Sequence, residues 1–193
     1  MDLQKINVKF FISDASQVAL DPFIAVFNAW IQATEGEYYD LADYSHVPAG
    51  PGIVLVADEA NVSIDNNQNR LGLLYNRKRP LQGTEAENLS SAVAAALAYC
   101  RRIEEEPALE GKVRFRGDET LIVINDRLTA PNDDDAFFAL RPAFEALARR
   151  LFGTAKFTIE KEKDARRRFG VRIRVDRPLT TEALLNNLQR TVN

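Results

Sequence analysis

The chain has 193 residues, 46% hydrophobic and 27% charged, which excludes a disordered or fibrous protein and suffices for a buried core without disulfide or metal staples. Its only cysteine, Cys100, excludes an internal disulfide and the multi-cysteine zinc or iron–sulfur motifs. Its only histidine, His46, excludes a His-rich metal centre. Net charge is −3, but the halves differ: residues 1–96 hold 6 Lys+Arg against 12 Asp+Glu, and residues 97–193 hold 19 against 16.

Along the chain, Ile6, Val8, Phe10 and Ile12 alternate with Asn7, Lys9 and Phe11, the period of a strand. Asp21-Pro22 opens a helix with Phe23, Val26, Phe27 and Trp30 on one face, closed by Gly36. An extended segment from Tyr38 meets the turn Pro48-Ala49-Gly50-Pro51-Gly52. The unbroken apolar run Ile53 to Ala57 then predicts a strand buried on both faces, hence central in its sheet. A hairpin is expected around Asp65 to Asn69. Thr84 and Glu87 stand at capping-box spacing before a helix with Leu89, Val93, Leu97 and Cys100 on its inner stripe, stopped by Pro107.

The second half repeats the rhythm. A strand at Leu121 to Ile124 leads through the loop 125–132 into a helix with Asp133 to Asp135 at its start and Gly153 at its end. A basic hairpin over 156–177 has Arg166-Arg167-Arg168 at its tip, and a short helix is expected over Thr180 to Val192. Both halves read strand, helix, strands, helix. The expected fold is therefore α+β: two related ferredoxin-like lobes of split βαβ type, 1–111 and 112–193, with a mixed or antiparallel sheet, helices on one face, and a shared core or sheet.

The segments Asp43 to Val56, Leu73 to Lys78 and Asn125 to Asn132 resemble a family of bacterial hypothetical proteins with no assigned activity. The resemblance implies a bacterial source and transfers no catalytic or binding residue.

Three clusters can carry chemistry. His46, the one group that titrates near neutrality unperturbed, is a candidate acid–base residue with Asp43 or Glu59 as its carboxylate partner. Asp126, Arg127 and Thr129 crowd the exit of a buried strand and are candidate ligand-binding groups. Arg77, Lys78 and Arg79, leading into the capped helix, form a candidate anion site. Gly50-Pro51-Gly52 is no phosphate loop, since Pro51 lacks a donor and a strand follows. No complete catalytic signature is present. The leading expectation is a non-catalytic small-ligand-binding or protein-assembly module: cytoplasmic, homodimeric, without cofactor or metal, and without a membrane span. The alternatives are a metal-independent enzyme using His46 and weak nucleic-acid binding through the basic hairpin.

Overall fold

The computed structural model describes residues 3–190. Eight strands form one antiparallel sheet: β1 (Ile6–Ile12), β2 (Tyr38–Tyr44), β3 (Gly52–Ala57), β4 (Ala60–Asp65), β5 (Gly72–Arg77), β6 (Phe115–Ile124), β7 (Phe157–Lys161) and β8 (Gly170–Val175). Their order across the sheet is β2-β3-β4-β5-β1-β6-β8-β7. The helices are α1 (Asp21–Ala33), α2 (Glu85–Glu104), α3 (Asp134–Phe152) and α4 (Thr181–Gln189). The expectation of α+β holds in this form, with every pairing antiparallel. The predicted C-terminal helix ends at Gln189, and residues 191 and 192 of that prediction lie outside the described residues.

The first strand of each half sits at the middle. β1 and β6 pair with each other, so residues on either side of position 111 share one sheet and one hydrophobic core. From β1 the chain crosses through α1 to the edge strand β2 and meanders back over β3, β4 and β5. From β6 it crosses through α3 to the opposite edge, β7, and returns by β8.

Alternation then sorts the side chains. Ile6, Val8, Phe10 and Ile12 of β1, with Leu73 and Tyr75 of β5 and Ile122 and Ile124 of β6, join the core against the helices. The inner stripes of α2 (Leu89, Val93, Leu97, Cys100) and α3 (Leu140, Phe144, Leu147, Leu151) complete it. Thr84 and Glu87 make the full reciprocal capping box that starts α2. The glutamates ending that helix find partners: Glu104 accepts from the Phe115 amide at 2.8 Å and Glu106 from Trp30 Nε1 at 3.1 Å.

Two strands depart from the sequence reading. β3 lies second from the edge, and Val54 and Val56 are only half-buried on the face opposite the helices, so an apolar run did not mean a central strand. β6 runs ten residues, well beyond the apolar stretch 121–124, because its polar start is stabilised by ion pairs from Arg70 in the β4–β5 connection and Arg172 of β8. Pairing with β1 jumps between Thr120 and Phe115, leaving residues 116–119 bulged. Gly117 fits there because a Cβ would lie 1.7 Å from the Leu179 carbonyl oxygen.

Candidate anion-binding cleft

All four helices of the described residues pack into the one core, and none of them covers the second face of the sheet. Its side chains come from the alternate positions: Asn7, Lys9 and Phe11 of β1, Asn76 and Leu74 of β5, Leu121 and Val123 of β6, and Arg172 of β8. The connection between β4 and β5 rises on one side and the tip of the β7–β8 hairpin on the other. Between them lies a cleft of about 520 Å³. Among the described residues, seven lining side chains are cationic (Lys9, Arg70, Arg127, Arg166, Arg167, Arg168 and Arg172), whereas Asp65 and Glu162 are the only lining carboxylates.

The near wall is anchored through Asp65, 1% exposed, which accepts from the Asn67 backbone and side chain and from Lys9 Nζ at 3.0 Å. Burial pushes the Lys9 ammonium below the usual lysine range, opposed by the charge and hydrogen bond of Asp65. Lys9 also points at the Asn67 carbonyl, so it ties floor to wall. Gln68 and Asn69 take positive φ in this turn, a conformation short polar side chains adopt more readily than branched ones.

Beside the cleft, Glu119 organises three arginines. Arg70 clamps it with two parallel bonds of 2.7 and 2.9 Å, Arg172 Nε lies 3.0 Å away and Arg174 Nε 3.5 Å away. Arg172 Nε is buried and out of line for a hydrogen bond to Glu119 despite that short distance; the contact is an ion pair only. Burial pushes the Glu119 carboxyl up, but the Arg70 hydrogen bond and the three guanidinium charges outweigh it and hold it below the usual glutamate range. The Arg70 guanidinium in turn stacks 3.6 Å from the centre of the Phe11 ring.

The far wall is tied to the loop after β6. Arg127 donates to the Arg166 carbonyl, and Asn132 donates to the Asp164 carbonyl at 2.9 Å. Arg166 and Arg167 share Asp164, and Arg167 also reaches Glu162. Among the described residues, Arg127 and Arg168 have no carboxylate partner. Even counting Glu119 and Asp164 just outside the lining, seven cations face four carboxylates, so the cleft attracts an anion.

The three clusters predicted from sequence fare differently. Of the loop after β6, Arg127 lines the cleft. Asp126 instead stabilises the loop: it accepts from the Leu128 and Thr129 amides and from Lys5, contacts that lower its carboxyl. Arg77 pairs with Glu59 at 2.8 Å and Arg79 with Asp58 through two bonds, while the Lys78 and Arg79 amides donate to the Glu59 carbonyl. The basic run thus fastens the β3–β4 turn, and its arginines are already engaged.

His46 sits exposed on the turn between β2 and β3. Asp43 lies beside it, its carboxyl lowered by hydrogen bonds from the Ser45 hydroxyl and amide and further by His46. Glu59 is at the other end of β3, about 20 Å away at ~3.3 Å per residue. The structure does not bring the acid–base trio together, because an antiparallel hairpin puts its two turns at opposite ends.

Three residues that build or flank the cleft stand outside the clusters expected from sequence: Asn7 and Lys9 in its floor and Glu119 beside it. Lys9 between Val8 and Phe10 was the available signal, a charge in a strand that both neighbouring strands enclose. No family model, no curated protein and no solved structure matches this chain.

Proposed function

We propose that this chain is a non-catalytic module that binds a small anionic ligand in the cleft on the uncovered face of the sheet. The carrying observation is the excess of guanidinium groups over carboxylates around a cleft that buries Lys9 and Asp65 and is flanked by the buried Glu119. Burying charge is costly, and well-packed apolar groups of similar size would often be as stable or more so. A paired, rigid set of charges beneath an unpaired rim is what an anion site requires. Arg70, fixed by Glu119 and Phe11, loses little freedom on binding; Arg127 and Arg168 supply the uncompensated charge.

Two features support reading the halves as related split βαβ lobes. In each, a helix carries the chain from the central strand to a parallel strand farther out, and the strands between are filled in by hairpins. The place beside β6 that a fourth lobe strand would take is filled by β1 of the other lobe. Assembly has narrower support: β2 is an edge strand and carries exposed Tyr39 and Tyr44. Nucleic acid fits less well, because among the described residues Phe11 is the only aromatic one lining the cleft and its ring is occupied by Arg70, leaving no stacking platform.

Calorimetric titration with inorganic phosphate tests the reading. One saturable site is expected, weakened by added salt and lost in Arg127→Ser/Arg168→Ser. Absence of binding by phosphate, pyrophosphate and citrate alike contradicts it.

A further inference from the structure

We infer that the ligand is a phosphorylated polyol, a sugar phosphate, with its phosphate at the arginine wall and its hydroxyls at Asn7, where a row of asparagines begins. This rests on the cleft being the ligand site.

The row is set by register. Gly170, Val123, Asn7, Asn76 and Asn61 stand side by side across β8, β6, β1, β5 and β4 on the uncovered face. At one end, Gly170 brings no side chain to the floor beneath the hairpin tip with Arg166, Arg167 and Arg168. At the other, three amides on adjacent strands form a polar strip. Asn7 is 5% exposed and lines the cleft, and its Oδ1 has no hydrogen-bond partner among the described residues; the Asn61 Oδ1, two strands farther on and outside the cleft lining, is buried and likewise unpartnered. Buried carbonyl oxygens without donors are uncommon and costly. A ligand carrying several O–H donors supplies what the strip lacks.

The span fits. Asn7 lies two strand spacings from Gly170, about 10 Å at the usual inter-strand distance. A phosphate held by Arg127 and Arg168 near Gly170 therefore leaves the body of a phosphorylated sugar over Val123 and its far hydroxyls at Asn7. Val123 gives the sugar's C–H face a small apolar patch. A nucleotide would also present donors, but its base would find the only aromatic ring lining the cleft covered by a guanidinium. An alkyl phosphate would leave the Asn7 amide oxygen unpaired.

Calorimetry on the whole chain separates these ligands. The probes are inorganic phosphate, hexyl phosphate, AMP and three sugar phosphates: glucose 6-phosphate, ribose 5-phosphate and myo-inositol 1-phosphate. At least one sugar phosphate should bind about tenfold or more tightly than inorganic phosphate, as one or two added hydrogen bonds would give. Hexyl phosphate and AMP should gain no such factor. Asn7→Leu should bring the sugar phosphates down to the affinity of inorganic phosphate measured on the same variant, with Asn7→Ser, which keeps a polar group and removes bulk, retaining part of the advantage if the leucine variant fails to fold; a sugar-phosphate advantage that survives Asn7→Leu overturns the inference. Hexyl phosphate or AMP binding tightest overturns the inference, as does equal binding of sugar phosphates and inorganic phosphate. In that last case the anion site stands and only its ligand class fails; if no probe binds, both fail.

Discussion

The two faces of the sheet are built from the same eight strands, residue by alternate residue, yet they bury opposite chemistry. Against the helices, side chains such as Val8, Leu73, Ile122 and Phe144 are fully enclosed and apolar, and the buried polar groups there, such as Asn88 and Thr120, are uncharged. The three buried charged residues among those described, Lys9, Asp65 and Glu119, all belong to the uncovered side. A sheet face turned to water can leave its charges hydrated at little cost, so enclosing them between two raised loops needs another reason. The contrast separates stability from function: one face holds the fold together, and the other holds charge in place.

Substitutions on each face should therefore break different properties. The largest effect belongs to the helix face. Phe144→Ala, which empties a fully buried ring from α3 beside Phe169, should cost about 3–5 kcal/mol in chemical denaturation while phosphate affinity stays at the wild-type value in whatever fraction remains folded. A phosphate affinity that falls with Phe144 would show that the faces are not separable.

Next comes the pair under the cleft. Lys9→Met strands Asp65 as an unpaired buried carboxylate and should cost about 3 kcal/mol, whereas Lys9→Met with Asp65→Leu should recover much of that loss, because the apolar pair needs no compensation. If the double variant is less stable than the single one, Asp65 matters mainly as the anchor of the Asn67 turn.

Smaller, and dependent on pH, is Glu119→Gln. The folded glutamate titrates below its ordinary value of about 4.3, so its stabilisation is complete above that pH and is lost as pH falls through the lower folded value. Glu119→Gln should cost about 2 kcal/mol at pH 7, with the gap to wild type shrinking on acidification. Parallel stability curves from pH 7 to pH 3 would remove Glu119 from its place at the centre of the arginine cluster.

How much of this could be read from the chain depended on sequence distance. α2 was legible because Thr84, Glu87 and the apolar stripe lie within one continuous segment, and the beginning of β1 because a period of two shows in seven residues. Phe115, alternating with arginines, and the apolar run 121–124 mark the two ends of β6, but nothing local joins them: the polar stretch between is held by Arg70, 49 positions before Glu119. The same distance hid the cleft. Its floor joins residue 7 to residues 123 and 170, and only strand order makes them neighbours. The loop after β6 was noticed for its charge, and one of its three named residues, Arg127, lines the cleft. His46 drew attention by its chemistry alone, which gave no information about whether Glu59 could reach it.

The most direct test of the anion site is a two-dimensional amide NMR titration of the whole chain with inorganic phosphate. Saturable shifts should concentrate at Val123, Arg127, Arg168 and Gly170, with little change at the turn of Arg77 to Arg79. Shifts centred on that turn, or none that saturate, would contradict an anion site in the cleft.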